Sequence, residues 1–130
     1  MKAIEIRTGR RQEMLDITAA VEEEMRRSGV ERGACLVFVP HTTAGVTVNE
    51  NADPTVREDV LSVLDRLVPA GVYAHAEGNS PAHAKASLVG SFVLVPVEGG
   101  RLALGTWQGV FFCEFDGPRS RRVMVRVLPG

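Results

Sequence analysis

The sequence predicts an α+β domain, a mostly antiparallel β-sandwich with two main helices and one short helix, in a single domain over residues 1–130. Three observations predict it. The chain has 130 residues, room for one domain at ~150 residues each, and a domain of this size buries roughly two-thirds of its unfolded surface without staples. It is 45% apolar and 24% charged, as an ordinary globular domain is. Its predicted strands mostly follow one another across short Gly- or Pro-marked turns, which gives antiparallel pairing.

Ala3 to Arg7 alternates, with Ile4 and Ile6 on one face, and is the first strand. Residues 17–28 form a helix. Ile17, Val21 and Met25 make its apolar stripe, Glu22–Arg26 and Glu23–Arg27 are i,i+4 pairs on its wet side, and Gly29 stops it. The apolar run Ala34 to Val39, ended by Pro40, is a buried strand, and Thr43 to Asn49 is the next, with the His41-Thr42 corner between them. Asp53-Pro54 is an N-cap followed by proline at the first helical position. It opens a helix to Val68 with Val60, Leu61, Leu64, Leu67 and Val68 on its apolar side. A loop over 72–80 leads to Ser80-Pro81, a second cap with proline, and a short helix to Val89. Strands follow at 91–97, 101–106, 108–115 and 121–128, with Glu98-Gly99-Gly100 and Asp116-Gly117-Pro118 as turns.

Composition excludes several functions. Fifteen basic and 16 acidic side chains leave a net charge of −1, which argues against a broad electrostatic footprint for nucleic acid. No window approaches ~18 uninterrupted apolar residues, so no membrane partner is expected. The two cysteines, Cys35 and Cys113, lie in apolar runs and form neither a disulfide framework nor a C-x-x-C pair. With no apolar leader after Met1, the expected location is cytoplasmic. No Walker loop, Rossmann glycine pattern, H-E-x-x-H or G-x-S-x-G elbow is present.

What remains is clustered. The three histidines, three asparagines and one tryptophan all lie between residues 41 and 107. The first constellation runs from His41 to Asp53 and ends in Asn49, Glu50, Asn51 and Asp53. On an extended strand His41 and Asn49 are ~27 Å apart. One ligand within one chain cannot touch both, unless the strand bends or a neighbouring subunit brings its opposite end across. The second is His75, Glu77, Asn79, Ser80, His83 and Lys85. A capped helix start offers free N–H groups and a positive dipole end to phosphate. His75 and His83, with Glu77 between, equally suit a divalent metal, although their spacing matches no standard zinc signature. Lys85 is one of only two lysines. The third is Leu104-Gly105-Thr106-Trp107-Gln108-Gly109, followed by Glu114-Phe115-Asp116-Gly117-Pro118-Arg119. Its Trp and Gln between glycines suggest a bulged strand edge, and Arg119, Arg121 and Arg122 suit bidentate phosphate recognition.

These segments, H-T-T-A-G-V-T-V-N-E-N-A-D, H-A-E-G-N-S-P-A-H-A-K-A-S and L-G-T-W-Q-G-V-F-F-C-E-F-D-G-P-R, together resemble the YjbQ family. The resemblance runs from about residue 2 to residue 128, nearly the whole chain. It implies an α+β sandwich forming homotrimers, and a weak, secondary thiamine-phosphate synthase activity. That reaction joins a pyrimidine methyl pyrophosphate to a thiazole phosphate and releases pyrophosphate. The expected catalytic residues are His41, His75, His83 and Glu77. Expected to bind substrate or phosphate are Asn49, Glu50, Asn79, Ser80, Lys85, Trp107 (by stacking on a heteroaromatic ring), Gln108 and Arg119. A divalent metal, Mg or Zn, would sit on His75 and His83. The partners expected are a phosphorylated small molecule and further copies of the chain, with sites shared between subunits. The competing expectations are a non-catalytic phosphate- or metal-binding module and a metal-dependent hydrolase.

Overall fold

In a computed structural model that describes residues 1–130, two antiparallel sheets face each other across the main core. The elements are β1 (Lys2–Arg7), β2 (Glu13–Asp16), α1 (Thr18–Arg27), β3 (Gly33–Phe38), β4 (Ala44–Glu50), α2 (Pro54–Leu67), α3 (Ser80–Val89), β5 (Phe92–Glu98), β6 (Arg101–Leu102), β7 (Gln108–Glu114) and β8 (Ser120–Pro129). One sheet has the order β1-β8-β3-β5-β6 and the other β2-β7-β4.

Period-2 alternation on both sheets builds the core. Cys35 and Val37 of β3, Val95 and Val97 of β5, and Val123 and Val125 of β8 point inward to meet Val46 of β4 and Val110 and Phe112 of β7. The stripe of α1, Val21 and Met25, joins this cluster. A second, smaller cluster lies on the other face of the three-stranded sheet. There Phe111, Cys113, Met14 and Phe115 meet Ala82 and Ala86 of α3, with Val60, Leu61 and Leu64 of α2 packed against them. The layers are thus five strands, three strands, and the α2–α3 pair. Nothing in the chain covers the outer face of the five-stranded sheet, where Phe92 and Leu94 are 59% and 55% exposed.

Several boundaries differ from the sequence expectation. Strand β2 was not expected. It has four residues, of which only Met14 is buried, too few for a periodic signal. It exists by pairing with β7, Glu13 opposite Glu114 through Asp16 opposite Phe111. The strand expected over 101–106 stops at Leu102. Residues 103–107 carry the chain from one sheet to the other, and Gln108 closes this passage by accepting the Gly105 N–H on its side-chain oxygen at 2.8 Å. Helix α3 is not the shorter helix, since α1 and α3 both have 10 residues. Leu67 does not join the apolar side of α2 and is 67% exposed, while Val68 is the C-cap. Asp53 caps α2 as expected, its Oδ1 accepting from the Thr55 N–H at 2.9 Å. Ser80 does not cap α3. It is the first helical residue, and the N-cap is Asn79, whose side chain makes no capping bond. The pairs Glu22–Arg26 and Glu23–Arg27 form at 3.6 and 2.7 Å on the exposed face of α1.

Candidate functional site

The His41-Thr42 corner is held against α3 by a close backbone approach. A Cβ on Gly45 would lie 2.6 Å from the Gly90 carbonyl oxygen, so only glycine fits there. That carbonyl accepts the Val46 N–H at 3.1 Å and fixes the end of α3 to β4. The result is a cleft of about 500 Å³. His41 and Thr42 line one side, His83 and Ser87 of α3 another, and Ser91 the third, over Ala44 and Ala86.

The state of His41 follows from its contacts. Its Nε2 accepts the backbone N–H of Arg122 at 3.0 Å, so that nitrogen carries no proton and the neutral ring carries its proton on Nδ1. Burial, and then the nearby Arg121 guanidinium, hold the pKa below the ordinary histidine value.

Arg121 is itself part of a buried network that sequence reasoning missed. Glu114 is fully buried and Arg121 is 6% exposed. Glu114 Oε1 accepts from Thr8 Oγ1 at 2.7 Å and Arg121 Nε at 2.9 Å. Its Oε2 accepts from Arg121 Nη2 and from the Asp116 N–H at 3.0 Å. The second guanidinium nitrogen also donates to Thr43 Oγ1 at 2.9 Å. Burial alone would push the Glu114 carboxyl up. Arg121, the Asp116 N–H and Thr8 outweigh it and hold the carboxyl below its usual range. A glutamate inside the apolar run Val110 to Phe115 was the signal, because glutamate is almost never fully buried unless paired. Arg121 is therefore not free to bind phosphate.

His75 and His83 meet edge to face with ring centroids 5.5 Å apart, close enough to share one ligand. Glu77 Oε2 lies 3.8 Å from His75 Nε2. No group of three His, Cys, Asp or Glu side chains is arranged to hold an ion, so the pair supplies two donors where a catalytic zinc site uses three protein ligands. Both thiols are buried, which pushes Cys35 up to about 11 and Cys113 up to about 12. Neither is a nucleophile at neutral pH.

Other expected residues serve the fold. Asn79 Nδ2 donates to Asp116 Oδ2 at 3.0 Å, and Arg119 clamps the same residue through Asp116 Oδ2 at 2.9 Å and its carbonyl at 2.7 Å. Burial raises the Asp116 carboxyl, but Asn79 and Arg119 prevail and hold it low. The guanidinium of Arg119 is thus engaged with a carboxylate instead of open to phosphate. The start of α3 is a poor anion cradle. Pro81 has no N–H, and the Ala82 and His83 N–H groups both go to the Asn79 carbonyl, at 3.0 and 3.3 Å. Ser80 alone keeps a free N–H in that turn. Lys85 faces away from His83, because two residues turn a helix through about 200°. Its ammonium donates to Gln12 Oε1 at 2.6 Å and Asp65 Oδ1 at 2.5 Å.

Asn49, Glu50, Trp107 and Gln108 lie at the other end of the three-stranded sheet. The β4–β7 register runs unbroken from Ala44 opposite Glu114 to Glu50 opposite Gln108, so β4 does not fold back on itself. Asn49 Oδ1 accepts the Glu50 N–H at 2.7 Å. A Cβ on Gly109 would lie 2.7 Å from Asn51 Nδ2, which explains the glycine after Gln108. Trp107 is 63% exposed and stacks on nothing.

The family described as UPF0047 protein YjbQ-like matches residues 2–130. The chain is similar to the UPF0047 protein YugU of Bacillus subtilis, 49% identical over 98% of each chain. It is also similar to the UPF0047 protein MJ1081 of Methanocaldococcus jannaschii, 46% identical over 95% of this chain and 91% of the other. Among solved structures, a yjbq/upf0047 family protein from Clostridium acetobutylicum superposes with a TM-score of 0.96 at 50% identity, covering 98% of this chain and 100% of that one. A YbjQ-like protein of unknown function from Sulfolobus solfataricus gives 0.95 at 36% identity, covering 99% and 96%. No helix is long and apolar enough to cross a membrane.

Proposed function

The chain belongs to the UPF0047 protein YjbQ-like family, and we propose that it is a cytoplasmic enzyme acting on a phosphorylated small molecule in the His41–His83 cleft, with thiamine-phosphate synthesis as a weak activity. The observation that carries this reading is convergence. The β3–β4 corner, α3 and the start of β5 bring two imidazoles and the residues Thr42, Ser87 and Ser91 to one cleft of about 500 Å³, a size that suits a small ligand. In the synthase reaction the C–O bond to pyrophosphate breaks as the thiazole nitrogen bonds to the pyrimidine methylene carbon. The neutral His41 ring, donating from Nδ1, and the cleft hydroxyls would bind the departing phosphate oxygens, where charge develops.

The same proposal includes a homotrimer with sites shared between subunits. Two features support it. The outer face of the five-stranded sheet is apolar across neighbouring strands, with Phe38 opposite Phe92 and Leu36 opposite Leu94, and such a patch marks an interaction surface. Phe92 adjoins Ser91 of the cleft, so a second copy seated there would wall the open side. A second reading, a metal-dependent hydrolase, rests on the His75–His83 pair, which would hold a divalent Mg or Zn ion together with ligands from the substrate. Expression in a thiamine-requiring strain tests the main reading. Wild-type protein is expected to restore growth and His83→Ala to fail; no growth with abundant wild-type protein contradicts the synthase assignment.

A further inference from the structure

Beside the Lys85 face of α3, two adjoining cavities of about 280 and 310 Å³ share Arg11, Ala70 and Pro81 in their walls. The first is floored by Phe115 and Val68 and contains Lys85, Asp65 and Gln12. The second lies under the 70–78 loop and contains Tyr73 and His75. Together they form a cleft of mixed lining, in which apolar side chains alternate with a few charged groups, able to hold and orient a small molecule.

The charges set the kind of ligand. The Lys85 side chain is 8% exposed, yet it opens onto the cavity. An ammonium has three N–H donors, and two are used, by Gln12 and Asp65. Arg11 makes no side-chain ion pair and acts on Asp116 only through space. The one carboxylate in either cavity, Asp65, is already committed to Lys85 and is half exposed, at 52%, so it can swing out into water as a ligand enters. Arg11 and Lys85 against Asp65 leave the cleft with an excess positive charge. A cation would meet the Lys85 and Arg11 charges with only the Lys85-paired Asp65 against them, whereas an oxyanion finds an unused Lys85 N–H and an unpaired guanidinium suited to bidentate contact.

We propose that this cleft between Arg11 and Lys85 is a second binding site, for a small molecule carrying a phosphate or carboxylate group, separate from the His41–His83 cleft. The site explains why a lysine is held almost buried at the edge of an apolar cavity by a partner that is mostly in water.

The test is a titration of ¹⁵N-labelled protein at pH 7 and constant ionic strength, with inorganic phosphate in one arm and acetate in the other. Saturable shifts are expected at Gln12, Ala82 and Lys85. The arm with the tighter binding identifies the headgroup as phosphate or carboxylate. Arg11→Gln and Lys85→Gln should each weaken binding about tenfold or more, as loss of one charge-assisted bond does. Arg11 is exposed, so its replacement keeps the fold and the test stands even where Lys85→Gln fails to fold. His41→Ala, a residue that lines only the other cleft, should leave this binding unchanged, which separates it from any ion bound there. Absence of saturable shifts in both arms, shifts confined to the His41 and Ser87 region, or full affinity in Arg11→Gln would overturn the proposal.

Discussion

Replacing Arg121 by Met removes the only countercharge of a carboxylate that is 0% exposed. In the native protein Glu114 accepts two bonds from Arg121 and one each from Thr8 and the Asp116 N–H. The variant keeps the last two and loses the charge pairing. Breaking a buried pair by deleting one partner costs about 3–5 kcal/mol. For a domain of this length that lowers Tm by roughly 10–20 °C. The double variant Arg121→Met/Glu114→Leu should be more stable than Arg121→Met, because no charge is then left unpaired. Thr8 is not stranded by this change, since its single hydroxyl proton can turn from Glu114 to the Arg119 carbonyl, 3.1 Å away, while its oxygen still accepts the Arg119 N–H at 2.8 Å. The pH dependence separates the two states further. In the native protein the Glu114 pKa is depressed, so its contribution is present above the unfolded pKa and is lost as pH falls through the folded one. In Arg121→Met only the Asp116 N–H and Thr8 still oppose burial, the largest influence on this carboxyl, so its pKa rises and the variant should gain stability as pH is lowered from 7 to 5. Urea melts at fixed protein concentration, read by circular dichroism at both pH values, provide the assay. A loss below about 1 kcal/mol, additive single-variant effects, or the same pH slope in both proteins would refute the reasoning.

His41 should titrate below the ordinary histidine range, with its proton on Nδ1 at pH 7, in a long-range ¹H–¹⁵N spectrum; its depressed pKa means that this stabilising term weakens as pH falls through the unfolded value near 6.5, and a ring protonated on Nε2 contradicts the Arg122 contact. Phe92→Glu together with Leu94→Glu should convert the proposed trimer to monomers in light scattering while the circular dichroism spectrum stays native, and a trimer that survives both charges moves the interface elsewhere. Mixing His83→Ala with Asn49→Ala after verified subunit exchange should restore part of the activity; no recovery confines the site to one chain.

The fold was largely legible because its strongest elements obey single local rules. The β-branched runs of β3 and β5 sit at period 2, and α1 carries Val21 and Met25 one turn apart. The Asp53-Pro54 start of α2 was legible for its capping chemistry. What failed depended on partners distant in sequence. Strand β2 is made by β7, 92 or more positions away, and the passage at 103–107 is shaped by a change of sheet. The site was legible in composition and not in geometry. The histidines that meet, His75 and His83, are close in sequence, and the turn at 76–78 folds His75 back onto the start of α3. Lys85, Asn79 and Arg119 had the right chemistry for phosphate, but a buried or clamped charge takes the nearest carboxylate, and Asp65 and Asp116 were within reach. Glu114–Arg121 was readable in principle, as a glutamate within an apolar strand followed seven residues later by an arginine on the next strand, which lies in the facing sheet.

The central claim is that the His41–His83 cleft turns over a phosphorylated small molecule. The most direct measurement is pyrophosphate release by purified protein given the pyrimidine methyl pyrophosphate and the thiazole phosphate together. The account predicts release that needs both substrates, falls about 100-fold or more in His83→Ala and in His41→Ala, and survives in Arg11→Gln, with the melting temperature of His83→Ala close to that of the wild type. Release at the wild-type rate in both histidine variants, or none from well-folded wild-type protein, would contradict it.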